Sequence, residues 1–165
     1  MRPRIVCLIA AAVSLLSLHA QQITGSIDPP PGARIVLEAK GEGVQIYACD
    51  GGKWVFKAPE AKLFDTSGKV IGIHFAGPMW KLDDGGEVQG EVVANMPAPQ
   101  PDSVAWLLLR AKPGTAAGSL ASVDFIRRTV THGGAAPASG CQSSADAGNT
   151  ERVAYTATYT FFARQ

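Results

Sequence analysis

The sequence predicts an all-β, single-domain antiparallel β-sandwich or barrel with an N-terminal signal peptide. Short apolar runs recur about every ten residues, and turns rich in Gly, Asp and Pro separate them. Apolar and polar side chains alternate within these runs, whereas no stretch shows a capped apolar repeat of helical period. The chain has 165 residues, 46% of them hydrophobic and 18% charged, which suffices for one packed domain.

The first twenty residues have the pattern of a signal peptide. Arg2 and Arg4 precede residues 5–18, which carry no charge, and Ala20 is a small residue at a suitable cleavage point. The alternative is a membrane anchor, but the apolar run is shorter than the roughly 20 residues that a spanning helix needs. We therefore predict export to the periplasm or beyond, with no membrane span after cleavage of residues 1–20.

Two cysteines, Cys49 and Cys141, remain after that cleavage. Disulfides form and persist in the oxidising compartments that exported proteins reach. The sequence therefore predicts a Cys49–Cys141 disulfide, and a pair of free thiols is the alternative.

Residues 21–33 form a proline-rich lead-in, and residues 34–165 form the predicted all-β domain. In the run 44–49, Val44, Ile46 and Ala48 share one face. Asp50 and the two glycines after it predict a hairpin turn.

Further turns are predicted at 66–69, 77–78 and 83–86. Strand segments over 70–76 and 79–82 lie between these turns, and a strand over 87–94 follows the last one. Pro59 lacks an N–H donor and is predicted to interrupt the strand that starts at Trp54.

The second half of the chain adds strands over 104–109 and 123–130, then a loop at 132–150 rich in Gly, Ala and Ser that contains Cys141. The final run, 152–162, alternates over eleven residues, with β-forming side chains throughout. One face carries Val153, Tyr155, Ala157, Tyr159 and Phe161, and the other carries Thr156, Thr158 and Thr160. The aromatic face is predicted to pack in the core.

Several segments together resemble a known family over nearly the whole exported chain. They are 43–49, Trp54, 58–63, 72–80, 84–86, 105–109, Arg128, Thr131, Gly133 and Gly134, Pro137, Cys141, Tyr155 and Tyr159. The chain resembles the domain of unknown function 3455 family, a group of exported microbial proteins. Val130 and Gly86 stand where that family's pattern usually has small polar residues. The resemblance implies an exported single domain and no established activity.

Composition and motifs exclude several classes of function. A formal net charge of +1 is not that of a nucleic-acid binder. Phosphate-loop, Gly-x-Ser-x-Gly and His-Glu-x-x-His motifs do not occur. Once the cysteines pair, only His74, His132 and carboxylates remain as metal donors, and they lack ligand spacing. We therefore predict no catalytic motif, no cofactor and no metal site.

The candidate ligand-binding residues are His74, Trp80, Asp83 and Asp84. His74 lies mid-strand and would act as a base or ligand if a hairpin brought it to a carboxylate. Its alternative role is a buried histidine bonded to the backbone. Trp80 would stack on a sugar ring beside Asp83 and Asp84, and the alternative is a core tryptophan beside a turn.

Arg127 and Arg128 are both candidates for pairing with a phosphate or a carboxylate. Adjacent strand residues point to opposite faces, so the two arginines do not form one patch. The expected arrangement has one guanidinium in solvent and the other in a salt bridge.

The sequence thus predicts an exported, non-catalytic binding module at or outside the cell envelope. Its ligand is a carbohydrate, another small molecule or an envelope protein, and not a nucleic acid. Two alternatives stand beside it: a hydrolase that uses His74 with Asp83 or Asp84, and a structural envelope protein.

Overall fold

A computed structural model of the chain describes residues 25–165 and shows a closed antiparallel barrel of eight strands. The all-β prediction is confirmed, and of its two architectures the barrel is the one formed. The predicted signal peptide lies outside the described residues. No helix within residues 25–165 is long and apolar enough to cross a membrane. The strands are β1 (Arg34–Asp50), β2 (Lys53–Phe64), β3 (Val70–Phe75), β4 (Met79–Leu82), β5 (Glu87–Met96), β6 (Trp106–Ala111), β7 (Phe125–Gly133) and β8 (Thr150–Ala163).

Each strand pairs with the next one in sequence, and β1 pairs with β8 to close the barrel. Because the direction reverses at every strand, alternate connections meet at the same end. The connections β1–β2, β3–β4, β5–β6 and β7–β8 form what we call the Pro78 end. The connections β2–β3, β4–β5 and β6–β7 form the opposite end, which we call the Asp84 end.

Period-two alternation places one face of each strand inside the barrel. On β8 the side chains of Tyr155, Ala157, Tyr159 and Phe161 are buried, which confirms the predicted core face. They pack with interior residues of the other strands, namely Ala39, Ala61, Leu63, Trp80, Leu82, Val88, Leu109 and Ile126.

The interior face of β1 is the one opposite to Val44, Ile46 and Ala48. Gln45, Tyr47 and Cys49 are buried, and the three aliphatic residues are half-buried on the outer wall. Two glycines lie earlier on the interior face, and a Cβ at Gly41 would collide with the Tyr159 ring. The glycine leaves the space that this large interior ring occupies.

The predicted interruption at Pro59 is wrong, because β2 runs unbroken from Lys53 to Phe64. Pro59 pairs with Gln45 of β1, whereas the pairing of β2 with β3 begins only at Ala61. At Pro59 the strand therefore has a partner on one side only. A proline is tolerated at such an edge position because no second ladder needs its missing N–H.

The β6–β7 connection folds over the Asp84 end. It contains a 3₁₀ turn, Gly118–Leu120, and Leu120 is only 1% exposed within the core. Backbone hydrogen bonds in both directions between Ala117 and Glu87 fix this connection to the start of β5. The Asp84 end is thus closed by a buried side chain.

At the Pro78 end, the long β7–β8 loop is fastened to the hairpin of β1 and β2. Cys49 and Cys141 form a disulfide, which confirms the predicted pairing. The Tyr47 hydroxyl donates a hydrogen bond to the Gly134 oxygen at 2.6 Å, and the Trp54 indole donates to the Ser139 oxygen at 2.8 Å. These links hold the loop beside the barrel rim and do not place its side chains in the interior.

Candidate ligand cavity

A cavity of about 540 Å³ opens at the Pro78 end of the barrel. This volume is within the range of small-molecule sites, and an eight-stranded barrel is wide enough to hold one small ligand. The lining is mainly aromatic and aliphatic. It comprises Gln45, Tyr47, Phe56, Lys57, Pro59, His74, Gly77, Pro78, Trp80, Val92, Val104, Ala105, Leu107, Leu109, Arg128 and Tyr159.

Three aromatic rings in mutual contact form part of the cavity wall. The His74 imidazole lies parallel to the Trp80 indole, with centroids 4.4 Å apart and planes 10° apart. Tyr159 meets both rings edge-on, at 5.0 Å from His74 and 5.6 Å from Trp80. Offset-stacked and edge-to-face pairs are favourable, so this wall is held in shape without a ligand.

His74 is neutral at physiological pH. Burial lowers its pKa to about 3; a hydrogen bond to the Met79 oxygen opposes this shift, and the nearby Arg128 charge adds to it. His74 Nδ1 lies 2.8 Å from that carbonyl oxygen, which can only accept, so Nδ1 carries the ring proton. The other nitrogen, Nε2, is therefore a hydrogen-bond acceptor.

The tyrosines at the site also stay uncharged. Burial raises the pKa of Tyr47, Tyr155 and Tyr159, and the Arg128 charge lowers it in part. The Tyr155 and Tyr159 hydroxyls lie 3.0 Å apart and share a hydrogen bond. These groups supply neutral hydroxyls, not bases.

Arg128 is the cation inside the cavity. Its Nε and Nη2 both donate to the Ala105 oxygen, at 3.1 and 2.8 Å. Arg127, its neighbour on β7, lies on the other face, 3.4 Å from an Asp28 oxygen and over the Phe162 ring. The opposite orientation of the two arginines agrees with the prediction, but here it is the outer arginine that forms the salt bridge.

The family model described as protein of unknown function (DUF3455) matches residues 29–163. The chain belongs to this family. The resemblance seen in the sequence is thereby confirmed. The chain has no significant match among curated proteins or among solved structures.

The structure separates the predicted site residues of this DUF3455 protein into two groups. His74 and Trp80 line the Pro78-end cavity together. Asp83 and Asp84 lie in the β4–β5 turn at the other end, where they line a separate cavity of about 360 Å³. Asp84 accepts hydrogen bonds from the Gly86 N–H at 2.9 Å and the Ser119 hydroxyl at 3.0 Å, which is the chemistry of a turn.

The distance between the two groups affects both the acid–base role expected of His74 and the sugar stacking expected of Trp80. His74 is 3% exposed, and its hydrogen-bond partner within residues 25–165 is a backbone oxygen, so the structure forms no His74–Asp83 or His74–Asp84 pair. Trp80 is 1% exposed and stacked on His74, so it presents no open face to a sugar.

The cavity contains residues to which the sequence assigned no place in a binding site. Gln45 and Tyr47 line it, together with Tyr159, which was predicted to pack in the core, and Arg128, which was a candidate for pairing with an anion. For β1 the available signal was alternation: Gln45, Tyr47 and Cys49 share a face with two glycines, and a disulfide cysteine is a buried position. Arg128 carried no such signal, because alternation separates the two arginines without telling which one faces inward.

Metal-ligating side chains do not converge in the part of the chain that the structure describes. No group of three or more His, Cys, Asp or Glu residues is arranged there to hold an ion. The chemistry of the cavity therefore rests on its apolar walls and on Arg128, His74 and Gln45.

Proposed function

We propose that this DUF3455 protein is a non-catalytic binding module that holds a small, largely apolar molecule in the cavity at the Pro78 end. The observation that carries the proposal is the cavity itself, about 540 Å³ in volume and walled mainly by aromatic and aliphatic side chains. Burial of an apolar ligand against such walls is favourable by roughly 25 cal/mol for each Å² removed from water.

The rigidity of the wall supports binding. The protein's own contacts fix the wall. The His74 ring stacks on Trp80, meets Tyr159 edge-on and donates a hydrogen bond to the Met79 oxygen. A preformed site orders few side chains when it is occupied, so less of the interaction energy is lost. A purely structural wall protein would gain nothing from keeping this volume unfilled, because cavities lower stability.

We also propose that binding takes place outside the cytoplasm, in the periplasm or in the medium. The Cys49–Cys141 disulfide supports this location because such bonds persist in oxidising compartments. The predicted signal peptide at residues 1–20 supports it independently.

The test is a fluorescence titration with N-phenyl-1-naphthylamine, a neutral apolar probe whose emission rises in apolar surroundings. The oxidised wild-type protein should bind it saturably at one site. Ala105 lines the cavity, so Ala105→Phe should fill part of it and weaken binding at least about tenfold.

Ala154→Phe is the matched control, because it makes the same change at an exposed position on the outer wall of β8. It should bind like the wild type. Leu107→Trp is a second filling variant, and unfolding curves establish that each variant is folded. Absence of saturable binding to the folded wild type, or unchanged binding by both filling variants, would overturn the proposal.

A further inference from the structure

The charges around the Pro78-end cavity are all of one sign. Among the residues that the structure describes, its lining includes Arg128 inside and Lys57 at the exposed rim, and no Asp or Glu. Arg128 is half-buried, and no carboxylate among residues 25–165 lies within 4.0 Å of its nitrogen atoms. Cations withdrawn from water are usually paired, so an unpaired arginine in a ligand-sized cavity points to an anion supplied from outside.

The guanidinium is held in one orientation. Nε and Nη2 each donate one hydrogen bond to the Ala105 oxygen, and the Tyr159 hydroxyl lies beside the guanidinium. A fixed fork loses little side-chain freedom when a ligand binds. The two bonds to Ala105 use two of the five N–H groups, so donors on both Nη1 and Nη2 remain.

The cavity wall also has unsatisfied N–H donors. Gln45 is 2% exposed, and neither its Nε2 nor the indole Nε1 of Trp80 has a hydrogen-bond partner within residues 25–165. Buried donors without partners are costly. A ligand whose polar end only accepts hydrogen bonds suits this wall better than one whose polar end donates.

The charge inside the cavity limits the charge of the ligand. Arg128 is the cation inside, Lys57 lies at the exposed rim, and the remaining wall is mainly aromatic and aliphatic. A phosphate dianion would leave charge unpaired there, whereas a carboxylate carries a single charge on two acceptor oxygens.

We infer that the ligand of this cavity is an apolar monocarboxylic acid, bound as the carboxylate with its charge on Arg128 and its apolar body against the aromatic wall. This inference rests on the proposed function, because it names the class of molecule that the cavity takes.

The experiment measures how decanoate and decan-1-ol displace N-phenyl-1-naphthylamine at pH 7.5. The two ligands have the same chain and differ in the charge of the polar end. Wild-type protein should bind decanoate about tenfold or more tightly than the alcohol, as expected for a charge-assisted hydrogen bond. Arg128→Gln should remove this preference, so that the acid and the alcohol displace the probe at similar concentrations.

Arg127→Gln is the matched control, because it removes the neighbouring charge on the outer face. It should keep the preference for decanoate. Equal binding of acid and alcohol by the wild type, or the same loss of preference in both arginine variants, would overturn the inference and leave the proposed function standing. Failure of the neutral probe to bind would overturn the proposed function first.

A second measurement uses the wild type alone, so it does not depend on the folding of Arg128→Gln. The carbonyl ¹³C shift of carboxyl-labelled decanoate is followed against pH in the bound state. A nearby cation lowers the pKa of a carboxyl group, and burial without a cation raises it. A bound pKa below that of free decanoate supports the inference, and a bound pKa above it overturns the inference.

Discussion

The two ends of the barrel are closed by different means. At the Asp84 end, Leu120 enters the core from the β6–β7 connection and is 1% exposed, with the cavity of about 360 Å³ beside it. At the Pro78 end, a disulfide and hydrogen bonds attach the β7–β8 loop to the rim. The barrel interior at this end contains the cavity of about 540 Å³.

This difference shows how one barrel combines stability with a binding site. Packing of apolar side chains around Leu120 stabilises the Asp84 end. A covalent link stabilises the Pro78 end without filling it. Substitutions at each end should therefore show whether the Asp84 end depends on packing and the Pro78 end on the disulfide.

Removal of the disulfide should have the largest effect. Cys49 and Cys141 are 92 residues apart in sequence, and the chain-entropy model gives such a link about 4–5 kcal/mol. Replacement of both cysteines by serine should lower the free energy of unfolding in urea by about that amount. Hydrogen exchange should rise more in residues 134–149 than in residues 112–124. A uniform rise at both ends would contradict the assignment of the disulfide to the Pro78 end.

Truncation of a leucine should cost more at the packed end than at the cavity. Leu120 is 1% exposed, so Leu120→Ala should lower the free energy of unfolding by about 3 kcal/mol. Leu107 is half-buried and borders the existing cavity, so Leu107→Ala should cost roughly half as much or less. Equal losses in urea unfolding would show that the Pro78 end is as tightly packed as the other.

His74 should make the protein sensitive to acid. Its pKa is about 3 when folded, and 6.5 is the ordinary value, so between these values the unfolded chain binds a proton that the folded chain does not. Stability from the neutral ring is thus complete above pH 6.5 and falls as the pH drops toward 3, by about 1.4 kcal/mol per pH unit.

The measurement compares urea unfolding of wild type and His74→Gln from pH 7 to pH 4. All other titratable groups are the same in both proteins, so a difference between their slopes of unfolding free energy against pH comes from His74. The free energy of unfolding of His74→Gln should fall less steeply as the pH is lowered. Identical slopes would mean that His74 is hydrated and that the aromatic wall of the cavity is open to water.

Backbone strain should give the smallest effect, with opposite signs at the two ends. Val130, in the part of β7 near the Pro78 end, has φ 48° and is 54% exposed. A β-branched residue is unfavourable there, so Val130→Asn should raise stability by about 1 kcal/mol. Gly85, at the Asp84 end, has φ 88° with open space around an added Cβ, so Gly85→Ala should lower stability by about 1 kcal/mol. A loss of stability in Val130→Asn would contradict this account.

The positive φ of Val130 coincides with a shift of register between β7 and β8, which lies between Thr129 and His132. Asn and Asp are the non-glycine residues that tolerate positive φ best, since their short side chains bond to the local backbone. A small polar side chain therefore suits this position better than valine does.

The sequence predicted two lining residues of the cavity, His74 and Trp80, but grouped them with two aspartates that β4 separates from them. Trp80 and Asp84 are four residues apart in sequence and look adjacent, but a strand rises about 3.3 Å per residue. Since β4 runs from the Pro78 end to the Asp84 end, the two residues belong to opposite ends of the barrel. Arg128 approaches His74 and Trp80 from β7, and proximity in sequence gives no sign of that contact.

Local chemistry in the sequence determined the strands, the turns and the pairing of two cysteines, because alternation, glycine and proline conformations and thiol number act within short stretches. The pairing of β8 with β1 that closes the barrel, and the face of each strand that lies inside, depend on the three-dimensional fold. Closure requires pairing between segments more than a hundred residues apart, and it brings Arg128 into one cavity with His74, Trp80 and Tyr159.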